Sequence, residues 1–522
     1  MVMDFLNSYP LCMLTNKSTY IIFAIVIALL FSVGAYFKFS TQHEKLPTGC
    51  DEFGYMNMAK AFSNNNAFND HAPRPFLKNL INTFKQNGVN EAEYVWMVVP
   101  HAYHFSSKTK GKIINQYAPG TSYILSWIPI EFRKKSFPFL IMFLTFIIPF
   151  VVVSVIKKLN SLQTILALTV LMLLLSLSTP FITEIARVNS LAFTFGLFIV
   201  AGLTARTHPL IALFFIVLSA NFRVINLLML LPLLLFFIPL LVEMIKTKKW
   251  KSLFIFSLKS ITIATIGILP YLFYVGNLLG NPLLPTYPSH DTDFNGIHDL
   301  LSNVQFYFSY KESWFLAHVA TIVILLFQVK LKQLTYKEFL LWLMFPVINY
   351  LFFSFHKVQM SYYPFASVFI LFGAIIFYFS KNKVELLYKK YIIILPLLFS
   401  VVMCADGIVR YSKKEHLTFE EDVKNYLPLC DYTVVWGEML SGTAEYACNN
   451  NGFKYNFGTS KAREIALKFL RDNHYSQVII CNDIPIDFEK LKDELNLFKI
   501  GFEIQEMPTL GKLIVIKAKN GI

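Results

Sequence analysis

The sequence predicts an α-helical, polytopic membrane protein of about eleven spans, ending in a small extracytoplasmic α/β domain. Three observations carry this. Of 522 residues, 55% are hydrophobic and only 15% charged, against about 25% charged in a soluble domain. The apolar residues come in blocks of roughly twenty, the length that crosses a bilayer. From residue 410 onward the balance changes: roughly fifteen basic residues face sixteen acidic ones, a soluble-domain ratio. The expected division is therefore 1–409 in the membrane, including a large first loop at 40–120, and 410–522 outside it.

Each element follows in order. Residues 19–39 form the first span. The run is too long for a signal-peptide core and lacks a small-residue cleavage site, so it is expected to be retained, with Lys17 marking an inside N-terminus. Residues 40–120 are polar, and a loop of that size is unusual unless it is functional. Within it, residues 55–68 and 76–84 show apolar positions three and four apart, which predicts short helices lying on the membrane surface. Arg74 sits between Pro73 and Pro75 on a stiff turn. Asn115-Gln116-Tyr117-Ala118-Pro119-Gly120 marks another turn, followed by a short apolar helix over 121–130. Later spans are expected near 137–156, 161–179, 185–204, 208–221, 223–244, 252–275, 313–330, 337–355, 360–380 and 391–409. Arg223, amid hydrophobic sequence after Asn221 and Phe222, needs a partner or a wet cavity.

The net charge of +14 does not point to nucleic acid. Its Lys and Arg residues cluster in short connections: Lys157-Lys158, Arg206, Lys246 to Lys251, Lys330 to Lys337 and Lys381 to Lys390. All fall on one side when the spans alternate, and that side is cytoplasmic. Loops 40–120, 180–184, 276–312 and 356–359 and the tail then lie outside. In the tail, 431–436, 477–481 and 512–516 read as strands and 461–472 as a helix. The six cysteines show no metal-ligand spacing. Cys430 and Cys448 are open to disulfide formation in an oxidising compartment.

Chemistry is expected in the outer loops. The first offers Asp51, Glu52, Arg74, His101, His104, Lys108, Lys110, Lys112 and Tyr117. Loop 276–312 offers Tyr287, His290, Asp291, Asp293, His298 and Asp299, and the late turn offers His356, Lys357 and Tyr362. Acids beside cations at one membrane face suit transfer of a sugar from a lipid-linked phosphate. A carboxylate takes the acceptor's proton, and cations stabilise the leaving phosphate. Asp51 also fits a plainer role, capping a helix that Glu52 would start. Asp291 and Asp293 fit oxygen ligation of a divalent metal, and two acids in a polar loop are also common without one.

A first span followed by Asp51-Glu52, then surface helices, then Tyr117-Ala118-Pro119-Gly120 before an interfacial helix resembles the GT-C superfamily of membrane glycosyltransferases. Asn221-Phe222-Arg223-Val224-Ile225-Asn226, the stretch Tyr274 to Pro282 and Met360-Ser361-Tyr362-Tyr363-Pro364 are similar to later family features, and the likeness runs in order over about 19–409. The resemblance implies a polyprenyl-phosphate sugar as donor, an external active site in the plasma (inner) membrane and inversion at the anomeric carbon. It implies Asp51 as the base and Glu52 as its neighbour, as in the protein mannosyltransferase and aminoarabinose transferase branches. Arg74, His101, Tyr117, Arg223, His356, Lys357 and Tyr362 are the expected substrate-binding residues. No metal or cofactor is assigned, because Cys50-Asp51-Glu52 stands where metal-dependent relatives carry Asp-x-Asp.

The expected function is transfer to an extracytoplasmic glycan or glycolipid such as O-antigen, lipid A or a wall polymer, with membrane lipid as a further partner. Two other readings stand beside it. A transporter or flippase would show repeated halves with broken helices, which the sequence lacks. A polymerase or ligase would need a late loop rich in Arg and His.

Overall fold

The computed structural model describes residues 17–39, 46–47, 49–65, 76–105, 113–156, 161–284, 286, 300–309, 313–356, 359–360, 362–381, 389–413 and 418–518. The chain forms two compact units: Met1–Thr41, Lys135–Tyr271 and His290–Lys414 make the first, and Gln42–Lys134, Leu272–Ser289 and Glu415–Ile522 the second.

The first unit is helical. Every predicted apolar stretch has a helical counterpart, from Lys17–Phe39 to Lys389–Ser412. Among the described residues, five helices are long and apolar enough to cross a membrane, and a sixth crossing is reached if one bent pair counts as a single span. Ala192–Thr204, Pro209–Ser219, Trp314–Lys330 and Phe365–Ser380 are apolar but shorter. The chain is a multi-pass membrane protein. Helices Phe195–Thr204 and Phe365–Lys381 meet backbone to backbone: a Cβ on Gly202 would strike the Ile370 carbonyl, and one on Gly373 the Ile199 carbonyl. Small residues allow that approach where lipid supplies no hydrophobic drive between helices. Phe195 stacks on Phe369 at 4.1 Å beside this contact.

Two expectations are corrected here. The span at 185–204 is broken, and residues 180–184, expected as a loop, lie in helix Thr179–Ala186, which turns 84° from Leu162–Leu177. The cause of the break is Asn189. Its amide nitrogen donates to the Arg187 carbonyl at 3.0 Å, and its oxygen accepts from the Leu191 and Ala192 amides at 2.9 and 3.1 Å. An Asn that satisfies backbone groups locally competes with the helix and starts a new one. Asn221 stands at the predicted break before Arg223: it donates to the nearby Leu218 carbonyl at 2.8 Å and, on a distant helix, donates to the Gly267 carbonyl at 2.7 Å and accepts from the Tyr271 amide at 2.8 Å.

The second unit joins the first loop to the C-terminal segment. Its sheet has the order β4-β3-β5-β7-β6, with β3 Val434–Gly437, β4 Asn451–Lys454, β5 Gln477–Ile480, β6 Phe502–Met507 and β7 Gly511–Ile516. β4, β3 and β5 run parallel, with Val435 opposite Gly452 and Val478, and β7 and β6 are antiparallel. Val435, Val478, Ile480 and Leu513 form the core with Leu429, Ala444 and Leu510. The Cys430–Cys448 disulfide is formed.

The first loop packs against this sheet domain and its helices. Helix Gly49–Ser63 buries every residue from Glu52 to Ala59, so it is not the surface helix expected at 55–68. A Cβ on Gly442, in helix Met439–Cys448, would come within 3.1 Å of Phe53. Thr443 Oγ1 donates to the Pro47 carbonyl at 2.8 Å, the Leu46 amide donates to Asp422 at 2.8 Å, and Lys60 donates to Asn449 at 2.6 Å. Helix Leu77–Gln86 has the predicted apolar stripe of Leu77, Leu80, Ile81 and Phe84. That stripe is covered by protein rather than lipid: neighbouring Phe76 packs on Phe453 and Tyr475, and Phe84 stacks on Tyr94 at 4.4 Å.

Candidate functional site

Gly49 takes a left-handed backbone, φ 80°, and opens the helix two residues before Asp51. Asp51 is therefore not the cap of a helix begun by Glu52; both acids lie in the first turn, where the helix dipole favours negative charge. Asp51 is half-buried. The Tyr117 hydroxyl donates to its Oδ1 at 2.5 Å, a short charge-assisted bond that orients the carboxylate.

Tyr117 is itself held from three sides. Its amide donates to Asn115 Oδ1 at 2.9 Å, and the other end of that amide side chain donates to the Gly54 carbonyl at 2.8 Å. Tyr55 stacks on its ring at 4.6 Å. Any Cβ on Gly54 would lie 2.5 Å from the Tyr117 ring and strike Ala102 as well. Asn115 ends a two-stranded ribbon, β1 Tyr103–Phe105 paired with β2 Ile113–Asn115, in which Tyr103 faces Asn115. The Cys50 thiol lies 3.2 Å from the same Tyr117 hydroxyl. Burial first, and then the Asp51 charge, push that thiol up to about 11, so it stays protonated.

Glu52 faces the other way. It is 2% exposed and pairs with Lys134 at 2.9 Å. Lys134 also donates to the Leu46 carbonyl at 3.0 Å, so the pair ties the helix start to the chain ahead of it. His101 is buried, and its neighbour Ala102 has a left-handed φ of 67°. Burial, and then the charge of Lys454, drive the imidazole down to about 3, which leaves it neutral. Lys454, at the end of β4, went unnoticed in the sequence because it comes from a tail without a motif. Lys134 and Lys454 are separated from residue 51 by long stretches of chain, and no spacing signal links them to it.

In the first unit, Arg223 stands over the rings of Tyr363 at 4.8 Å and Tyr362 at 5.4 Å, and His356 meets Tyr363 edge-on at 5.5 Å. Asn303 fixes the end of helix Tyr336–Ser354 by donating to the carbonyls of Ser354 and His356 at 2.9 and 2.8 Å. Asp51, Glu52, Tyr117 and His101 thus share the second unit, while Arg223, His356 and Tyr362 share the first. Arg74, Lys108, Lys110, Lys112, Tyr287, His290, Asp291, Asp293, His298, Asp299 and Lys357 lie outside the described residues, as does the His104 side chain. Among the described residues no group of three metal-ligating side chains converges.

No protein family description matches the sequence, and no curated protein does. The fold is similar to that of ArnT from Cupriavidus metallidurans bound to undecaprenyl phosphate, with 10% identity, coverage of 97% of this chain and 99% of that one, and a TM-score of 0.50. The apo state of ArnT gives 9% identity, coverage of 92% and 95%, and a TM-score of 0.52. At these identities the likeness is one of fold, and it extends over nearly the whole of both chains: this chain has an ArnT-like fold.

Proposed function

We propose that the protein transfers a glycosyl group from a polyprenyl-phosphate-linked donor to an extracytoplasmic glycan or glycolipid, with Asp51 as general base. The carrying observation is the Asp51–Tyr117 contact of 2.5 Å in the first loop of a chain with this fold. The acceptor hydroxyl or amine attacks the anomeric carbon as the bond to the phosphate oxygen breaks. Asp51 takes the acceptor's proton, and the polyprenyl phosphate leaves as an anion. Attack opposite the leaving group inverts the anomeric centre.

Tyr117 aims the base, and Glu52, acting through Lys134, is a positioning residue for the helix that carries it. Arg223, 4.8 and 5.4 Å from the ring centres of Tyr363 and Tyr362, is proposed as a substrate-binding residue within the first unit, with the aromatic faces holding its guanidinium in place. Two features support the reading. The ArnT structure holds undecaprenyl phosphate, and a disulfide-bonded tail domain suits an oxidising, extracytoplasmic location in the inner membrane.

The test is Asp51→Asn in full-length protein supplied with individual polyprenyl-phosphate sugars and extracted membrane glycan. Transfer is expected to fall by about 10²–10⁴ while thermal unfolding is unchanged. Full transfer by a folded Asn variant removes the proposal, as does substrate crossing in proteoliposomes without glycosidic bond formation.

A further inference from the structure

We infer that helix Met439–Cys448 of the tail braces the helix that carries Asp51, and that Asp483 is a positioning residue for the proposed base. The inference rests on the transferase reading for what Asp51 does, though not for the brace itself.

The first observation is a helix fixed at both ends. β3 stops at Gly437, and helix Met439–Cys448 starts just beyond it. The first amides of a helix have no partner within it. Here Asp483 takes them. Its Oδ2 accepts from the Glu438 amide at 2.5 Å and the Leu440 amide at 2.8 Å, and its Oδ1 accepts from the Met439 amide at 3.1 Å. In an open α/β sheet, the start of a helix beyond a strand's carboxyl end is a common seat for a ligand phosphate. In this chain its own carboxylate fills that seat, and a Cβ on Gly437 would lie 2.5 Å from the same Oδ2. The arrangement serves support rather than ligand binding. At the other end, Cys448 is joined to Cys430.

The second observation is what the helix holds between those ends. Thr443 reaches the chain just ahead of helix Gly49–Ser63, through the Pro47 carbonyl. Gly442 meets Phe53, two residues after Asp51. Lys60, toward the far end, donates to Asn449 Oδ1 and to the Tyr446 carbonyl at 3.2 Å. The grip thus runs along the whole helix, and residues Ser441 to Tyr446 are buried in making it. Close-packed elements pass displacement on rather than absorb it. Loosening either end of the brace therefore moves Asp51 relative to Tyr117, and a displacement of about 1 Å can cost a reaction 10²-fold.

Cys50 reports the seating without any substrate. It sits next to Asp51 on the same helix, with its thiol 3.2 Å from the Tyr117 hydroxyl. Burial holds that thiol protonated, so alkylation is slow while the helix is seated.

Full-length protein in nanodiscs is alkylated, and the Cys50 peptide is followed by mass spectrometry alongside transfer kinetics. The set comprises wild type, Asp483→Ala, Asp483→Asn, the double Cys430→Ser, Cys448→Ser and, as a control, Leu491→Ala. Leu491 is buried in helix Phe488–Leu497 of the same domain, and its side chain makes no hydrogen bond to the brace. Asp483→Ala and the double variant are expected to speed Cys50 alkylation about tenfold or more. Their kcat should fall about 10–100-fold, with KM within about threefold of wild type. An Asn at 483 keeps one oxygen for the Glu438 and Leu440 amides, so it should restore most of both properties. Cys50 reactivity that ignores Asp483→Ala and the double variant overturns the brace, even if transfer falls. Equal acceleration by Leu491→Ala overturns it too, since general loosening would then suffice. If Cys50 responds as expected but no sugar donor supports transfer, the transferase reading fails and the brace stands.

Discussion

Two buried histidines, one in each unit, put the same side chain to opposite uses. His318, 2% exposed, has both ring nitrogens engaged: Nδ1 with the Trp314 carbonyl at 2.8 Å and the Tyr350 hydroxyl at 3.0 Å, Nε2 with Ser367 Oγ at 2.7 Å. Asn349 closes the cluster by donating to Ser367 Oγ and the Pro364 carbonyl, both at 2.9 Å. His101 is almost as buried, and its Nε2 meets nothing among the described residues. The first cluster holds the turn that leads into helix Phe365–Lys381; at His101 one ring nitrogen is left unengaged by the described residues. The same contrast separates two neighbours in sequence: Glu52 is sealed against Lys134, and Asp51 is half-buried and oriented by a hydroxyl. A polar group matched inside the fold stabilises it; on the proposed reading Asp51 is instead held for chemistry.

The sharpest way to break this comparison is to exchange the roles of the two acids. Glu52→Gln or Lys134→Met leaves one buried charge without its partner and is expected to cost about 3–5 kcal/mol of stability, whereas Asp51→Asn is expected to cost activity and little stability. Denaturant unfolding of the single and double variants checks this: the Glu52→Gln, Lys134→Met double should recover much of the loss. Equal destabilisation by Asp51→Asn would erase the distinction. The next effect belongs to His318→Leu. It strips partners from Ser367 and Tyr350 and should cost about 1–3 kcal/mol; an unchanged melting temperature would show that the cluster is not a structural clamp. Gly54→Ala tests the support behind Tyr117. Overpacking of this kind costs about 1–3 kcal/mol, and kcat is expected to fall more than KM rises, because the proposed base is displaced.

The sequence made some of this visible and hid the rest for physical reasons. Long apolar runs announce helices by length alone, so all eleven had counterparts. Polar breaks are not equally legible: Asn221, beside Arg223, marks a boundary in the sequence, whereas Asn189, although it stands near Arg187 and Ser190, falls inside an expected span. Helix Leu77–Gln86 showed its stripe, but periodicity does not say whether lipid or protein covers it, and here Phe76 meets Phe453. Strands β3, β5 and β7 carry Val and Ile, whereas β4 is Asn-Gly-Phe-Lys and β6 is an exposed edge, and neither has strand composition. Asp51 and Tyr117 lay inside one loop and could be paired with a turn and a helix start. The partner of Glu52 is Lys134, and the charge that acts on His101 comes from β4; only the folded chain brings them close.

The smallest effect at neutral pH is expected at His101, and it separates the two histidines most finely. Replacing it with Phe removes a buried nitrogen without a hydrogen-bond partner among the described residues, and the relief of about 1–3 kcal/mol is offset by an overpacking cost of similar size, so stability at pH 7.5 should change little. Acid reveals the difference. The folded-state value of about 3 lies below the roughly 6.5 of an unfolded histidine. The stabilising contribution is therefore full above pH 6.5. As pH falls, the unfolded chain takes up the proton first, and the contribution is lost progressively toward pH 3. Phe has no proton to take up, so the His101→Phe protein should lose less stability than wild type between pH 7.5 and 5 in paired unfolding curves. Parallel decline in the two proteins would mean that the imidazole is not held neutral, and the contrast with His318 would then rest on geometry alone.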